Sequence, residues 1–143
     1  MKGIIVSDGV YREEDVFAGQ RIFMTPELIE KTMLGLVQKY NQYRPTTKSS
    51  PYAVAAWLLH AFVSIHPFID GNGRMGRILA NLVLFSYGFP FPVPISADND
   101  EYIKSLRLAD RYYEKGRDTS HLALIILNSS HSIYKNYLSN LEL

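Results

Sequence analysis

Two apolar helical stretches meet at His66-Pro67, and this junction limits the possible folds more than any other feature of the chain. A residue that precedes proline is pushed out of the α region, so a helix arriving from the N-terminal side stops there. That helix opens at Ser50-Pro51 and carries Val54, Trp57, Leu58, Ala61, Phe62 and Ile65 as a stripe at helical spacing. Beyond the break a new helix begins at Asn72 or Gly73, with Ile78, Leu79, Leu82, Val83 and Phe85. It is apolar nearly all round, which predicts the central buried helix of the domain. The polar residues between the two helices are thereby held at one end of the core.

The remaining elements follow from local signals. Asp15 to Phe23 reads as a small hairpin turning near Gly19. Thr25-Pro26-Glu27 is a helix start, with an N-cap hydroxyl, Pro at the first helical position and an acidic first turn. Leu28, Ile29, Met33, Leu36, Val37 and Tyr40 continue it at helical spacing, and residues 44–49 form a loop. Gly88 ends the helix after the junction, and Phe89-Pro90-Phe91-Pro92-Val93-Pro94 is an extended connector. Asp98 or Asn99 caps a fourth helix reaching about Glu114. Thr119 or Ser120 caps a fifth, with Leu122, Ile125, Ile126, Ile133, Tyr134 and Tyr137 facing the core. The prediction is an all-α fold with one small β-hairpin, a single domain over residues 1–143.

Composition removes several function classes. The formal net charge of +1 provides no global field for nucleic acid or an anionic membrane surface. The chain has no cysteine, which excludes disulfides and thiolate metal sites. No apolar run reaches the length of a membrane span, and Met1 to Val6 is too short for a signal segment. The expectation is a soluble, cytoplasmic protein.

The chemistry is concentrated between His66 and Arg77. His66 stands where a helix breaks, so its ring can face a cleft, and an imidazole with an ordinary pKa of about 6.5 is a usable base near neutrality. Asp70 is a hard oxygen ligand suited to Mg²⁺. Gly71-Asn72-Gly73 coincides with a helix N-terminus, where converging amides and the helix dipole make a phosphate site. Arg74 and Arg77 are neighbours on the first helical turn and can bind further phosphates in bidentate fashion. Gly71, Gly73 and Gly76 match a dinucleotide fingerprint literally, but no strand precedes them. The Gly-Lys-Ser/Thr of a P-loop is missing, and Ile103 stands where an EF-hand starting at Asp98 needs glycine. His60, His121 and His131 lack ligand-spaced partners and read as core or helix-surface histidines.

The run from His66 to Arg77 resembles the signature of the Fic family, His-x-Phe-x-Asp/Glu-Gly-Asn-Gly-Arg-x-x-Arg, at every fixed position. The likeness extends to Gly9-Val10-Tyr11-Arg12, to Val16–Arg21 and to Pro26 through Met33, and is nearest to the animal endoplasmic-reticulum Fic enzymes. It implies a mainly helical fold and protein AMPylation, in which AMP passes from ATP to a Ser, Thr or Tyr hydroxyl. The resemblance makes His66 the general base and Asp70 the ligand of Mg²⁺ on the α- and β-phosphates. Gly71, Asn72, Gly73 and Arg74 would form the anion hole, and Arg77 would bind the γ-phosphate. Kinase members of the wider family carry Lys in place of Asp70, so the acidic residue argues for AMP transfer. The flap residues Val16, Phe17, Ala18, Gly19, Gln20 and Arg21 would pair with an extended target segment. Tyr102, Leu106 and Asp110 are implied near the adenine, with Asp110 where close relatives have Asn. An ionised Asp only accepts hydrogen bonds, which alters how the base can be read.

Many members carry an inhibitory helix with Ser/Thr-x-x-x-Glu, and no Ser or Thr here has Glu four residues on. Arg77 is therefore expected to be free, and the domain constitutively competent or restrained by a separate inhibitor or antitoxin or by a segment outside this sequence. Self-modification of an exposed tyrosine and a homodimer are both compatible with the sequence. Two alternatives stand beside AMP transfer. One is a Fic transferase with a different nucleotide donor or a de-AMPylating activity. The other is a non-catalytic domain whose flap binds a partner strand.

Overall fold

The computed structural model describes residues 9–43, 48–96, 100–111 and 118–141. The hairpin consists of β1 (Phe17–Ala18) and β2 (Arg21–Ile22), antiparallel, with Phe17 opposite Ile22 and Ala18 opposite Arg21. Gly19 turns it at φ +63°, a conformation that L side chains rarely adopt. Among the described residues five helices follow: α1 (Pro26–Gln42), α2 (Pro51–Ile65), α3 (Asn72–Ser86), α4 (Asp100–Arg111) and α5 (Ser120–Leu141). The predicted cap at Asp98 or Asn99, the helix end near Glu114 and most of the loop after α1 lie outside the described residues. Among the described residues, no helix is long and apolar enough to cross a membrane.

The central helix is α2 rather than α3, which corrects the sequence expectation. Ten of its 15 residues are buried, and α3, α5 and α1 all pack against it. Its alanines explain this position. Ala55, Ala56 and Ala61 are small enough to let neighbouring helices approach on sides where the apolar stripe showed no large residue. By contrast α3 buries Gly76, Ala80, Val83 and Leu84 but leaves Ile78, Leu82 and Phe85 exposed. Gly76 lies at the α2–α3 contact, where an added Cβ would stand 3.0 Å from Val63 Cγ1.

Helix ends are made partly by other groups than those predicted. Thr25 occupies the N-cap of α1 but its side chain makes no capping bond; its carbonyl accepts from Leu28 N at 3.1 Å. In α1, Ile29 and Leu36 are buried and Met33 and Tyr40 pack beside them, whereas Leu28 and Val37 are exposed. At α5, Asp118 supplies the side-chain acceptor for Ser120 N at 2.9 Å. Leu122 and Ile126 are the buried residues of its apolar face, and Tyr137 is exposed. The end of α3 matches expectation: Gly88 (φ +90°) lets Phe89 N reach Leu84 O at 3.2 Å and Gly88 N reach Phe85 O at 2.9 Å. Asn81 then fixes the connector, donating to Val93 O at 3.0 Å and accepting from Val93 N at 2.7 Å.

The Gly76 contact sets a packing test. Gly76→Val should lower stability by about 2–3 kcal/mol, because its methyls must enter space filled by Val63 and Leu59. Chemical denaturation with an unchanged m-value would check this.

Candidate active site

Helix α2 ends in a left-handed turn at His66, with φ 54° and ψ 59°. Among the described residues it is the single non-glycine residue with positive φ, a conformation that must be held from outside. The holding group is Arg12, a guanidinium only 2% exposed. Its Nε donates to His66 O at 2.7 Å, and one terminal nitrogen donates to Glu14 O at 2.7 Å. The other terminal nitrogen donates to Met24 O, and the Arg12 amide donates to Pro67 O at 2.9 Å. One residue therefore ties both arms of the flap to the helix break.

The His66 imidazole is oriented by two contacts. Nδ1 lies 3.4 Å from Val63 O, and since a carbonyl can only accept, Nδ1 carries the proton. The ring stacks on Phe23, with centroids 3.9 Å apart and planes at 25°. Nε2 is thus the basic nitrogen. Burial lowers the pKa of His66 below 6.5, the Val63 bond partly opposes this, and the charges of Arg12 and Arg21 lower it further. The ring is neutral at pH 7, as a base must be.

The loop after Pro67 is closed by Asn72, which is buried. Its side chain accepts from Phe68 N at 2.9 Å and donates to Phe68 O at 2.7 Å. That amide is engaged inside the loop, and at the helix end Asn72 also presents its backbone N–H. Gly71 turns at φ +81°, and Asp70 Oδ1 accepts the Gly71 amide at 2.6 Å. The first intrahelical bond of α3 runs from Met75 N to Gly71 O at 2.9 Å. The amides of Asn72, Gly73 and Arg74 precede it and have no acceptor within the helix. A cleft of about 280 Å³ at this helix end is lined by the whole loop from Ile69 to Arg74, by Arg77 and by His66. A Cβ on Gly71 or Gly73 would meet the Arg74 or Arg77 guanidinium at 3.5 Å, an ordinary contact, so it is the positive φ of Gly71 that calls for glycine here.

The Fic/DOC family matches residues 1–84, more than half of the chain. The chain belongs to the Fic/DOC family. It is 34% identical over 106 residues to protein adenylyltransferase fic-1 of Caenorhabditis elegans, covering 73% of this chain and 20% of that protein. It is 31% identical over 108 residues to protein adenylyltransferase Fic of Drosophila persimilis, with 73% and 20% covered. The chain thus spans about a fifth of the length of these curated relatives. The solved structure of C. elegans Fic-1 (residues 134–508) superposes with a TM-score of 0.79 at 27% identity, covering 96% of this chain and 38% of that one. A Fic domain containing signaling protein from Bacteroides thetaiotaomicron gives 0.64 at 34% identity, covering 92% and 50%.

The Fic motif is therefore gathered around one cleft, and Tyr102 stands next to it. Tyr102 is buried; burial raises its pKa, against the pull of the nearby Arg77, so the phenol is neutral. Asp110 is placed differently. Its carboxylate faces Arg21 of the flap and His60 of α2. His60 is a core histidine, and His121 and His131 lie on the exposed surface of α5. Sequence reasoning assigned no role to Arg12, Phe23 or Asn81. Arg12 lay within the quoted Gly-Val-Tyr-Arg run, which was the available signal; Phe23 and Asn81 gave none.

Mg²⁺ is bound by one or two carboxylates together with substrate phosphates rather than by an all-protein cage. Among the described residues no group of three or more His, Asp or Glu could hold a metal ion. Asp70 fits the other mode: it is exposed beside the helix amides, and its Oδ2 rests only on Arg74 at 3.3 Å.

Two expectations follow. Arg12→Ala leaves the His66, Glu14 and Met24 carbonyls without their charged donor and should cost about 3 kcal/mol or more, read as a lower Tm. The His66 ring should titrate below pH 6.5 by NMR. Because the folded state binds this proton more weakly, its contribution to stability is present above 6.5 and declines as pH falls through the folded-state pKa.

Proposed function

We propose that this Fic domain transfers AMP from ATP to a Ser, Thr or Tyr hydroxyl of a target protein. The observation that carries the reading is a neutral His66, with Nε2 as its basic nitrogen, in one cleft with the open amides of α3 and with Arg74 and Arg77. The names of the curated relatives agree with it.

In this reading Nε2 of His66 accepts the proton of the target hydroxyl as its oxygen attacks the α-phosphorus. The new O–P bond forms while the bond to the β-phosphate oxygen breaks, and pyrophosphate leaves. Such displacement needs mainly positioning and charge neutralisation from the protein. The amides of Asn72, Gly73 and Arg74, released by the turn at Gly71, receive phosphate oxygens at the helix N-terminus. The guanidiniums of Arg74 and Arg77 neutralise the remaining phosphate charge. Mg²⁺ would be held by Asp70 and would supply further charge neutralisation on the phosphates. The base of the nucleotide would extend towards α4, along which Tyr102 and Asp110 stand. The flap from Val16 to Arg21 would offer strand pairing to the target and bring its hydroxyl to His66.

Incubation with α-labelled ATP, Mg²⁺ and a cell lysate tests the reading. Label should pass to protein, and His66→Ala should reduce transfer by about 10²–10⁴-fold, the usual worth of a positioned base. Equal labelling by the variant would remove His66 from the reaction. Label from another nucleotide in preference to ATP would replace the donor.

A further inference from the structure

The flap cannot hold itself in place. Each of its strands is two residues long, and an isolated two-stranded hairpin is marginal in water. Nor does burial hold it, since Phe17 is 61% and Ile22 is 68% exposed. Arg12 secures its two bases, and the far arm is secured by Arg21. The Arg21 guanidinium forks onto Asp110, at 2.6 Å to Oδ2 and 3.1 Å to Oδ1, and also donates to Ser64 Oγ at 3.4 Å. Behind the carboxylate stands His60, only 1% exposed, whose Nε2 donates to Oδ1 at 2.9 Å. Exposed ion pairs are often worth little. This one is bidentate, and the core histidine fixes its carboxylate.

The same guanidinium lies over Phe23, 4.8 Å from the ring centroid, and Phe23 stacks on His66. A continuous series of contacts thus runs from Asp110 through Arg21 and Phe23 to the imidazole. We propose that Asp110 anchors the flap and does not read the nucleotide base, so that Arg21 and Asp110 are positioning residues for His66. The inference rests on the AMP-transfer reading and deepens it. Asp110 already accepts two hydrogen bonds from Arg21 and one from His60, so only one lone-pair site, on Oδ2, is left for the edge of a base, and turning the carboxylate further would release the flap arm that carries Phe23 against the imidazole.

The test compares the whole chain with Arg21→Gln, Asp110→Asn and the double variant. ATP affinity is measured by calorimetry, AMP-transfer kinetics by labelling, and the His66 ring by NMR. Arg21→Gln and Asp110→Asn should each lower kcat by about 10- to 100-fold, the scale of a misplaced reacting group. ATP affinity should change less than about threefold, and the double variant should be no worse than the weaker single variant. The His66 ring signals should move in all three. Tenfold weaker ATP binding by Asp110→Asn, or a changed ATP-to-GTP preference, with Arg21→Gln unaffected, would overturn the proposal and make Asp110 a base reader. Arg21→Gln keeps the Asp110–His60 bond, so it decides the matter if Asp110→Asn fails to fold. The NMR arm needs no activity. If the wild type transfers no AMP, a displaced His66 ring still supports the anchor while the proposed function falls. An unmoved ring overturns the anchor even where AMP transfer is intact.

Discussion

When α2 stops before Pro67, the backbone at His66 turns left-handed, and the His66 carbonyl leaves the helical ladder. An unpaired buried carbonyl is costly, and a left-handed β-substituted residue is strained by roughly 1–2 kcal/mol. Arg12 answers both problems with one planar fork. It satisfies the His66 carbonyl and uses its remaining donors on Glu14 and Met24, at the two ends of the flap segment. The position of the candidate base and the base of the flap therefore depend on a single buried cation. Lysine could not replace it, since an ammonium is a point donor on a flexible stem without the fixed fork geometry.

The loop that follows is closed by its own residues. Asn72 imitates a strand partner for Phe68, Asp70 accepts the amide of Gly71, and Gly71 supplies the left-handed turn. With these internal needs met, the first amides of α3 are left facing the cleft. The same physical rule governs the far end of the helix, where Asn81 pins the connector at Val93. Helix α3 is thus fixed at its start and along its connector, while α2 supplies the packed surface through the close approach at Gly76.

Much of this was legible in the residues because it depends on local chemistry. Pro67, Gly19 and Gly88 announce their turns through backbone sterics, and the His66–Arg77 run announces the helix break and new helix start around which its residues line one cleft. The burial ranking of α2 and α3 was legible only in part. The large apolar residues Ile78, Leu79, Leu82, Val83 and Phe85 crowd the C-terminal part of α3, whereas much of the apolar content of α2 is alanine, which marks close helix approach less visibly than a bulky stripe does. Arg12, separated from His66 by 54 positions, and Arg21, separated from Asp110 by 89, serve partners that no periodicity connects. His60 looked like an ordinary core histidine and is one, but its outward nitrogen meets Asp110 on another helix. Pairings of this kind are set by tertiary approach, so they appear only when the helices are in place.

The charge arrangement gives these pieces a common logic. Burial lowers the pKa of His66, and Arg12 and Arg21 lower it further. Arg74 and Arg77 line the same cleft as His66 and outnumber the one carboxylate there, Asp70, although the chain carries a net charge of only +1. Such an excess of positive charge keeps the imidazole unprotonated but also makes it a weaker base. An anion seated on the α3 amides reverses part of that effect. Its negative charge favours the imidazolium, so the affinity of Nε2 for a proton rises when the phosphate site is filled. In the proposed reaction this wiring would keep the base neutral before the nucleotide binds and strengthen it afterwards. Arg21, held in place by Asp110, contributes to that balance from the flap side, and so the orientation and the basicity of one imidazole depend on the same ion pair.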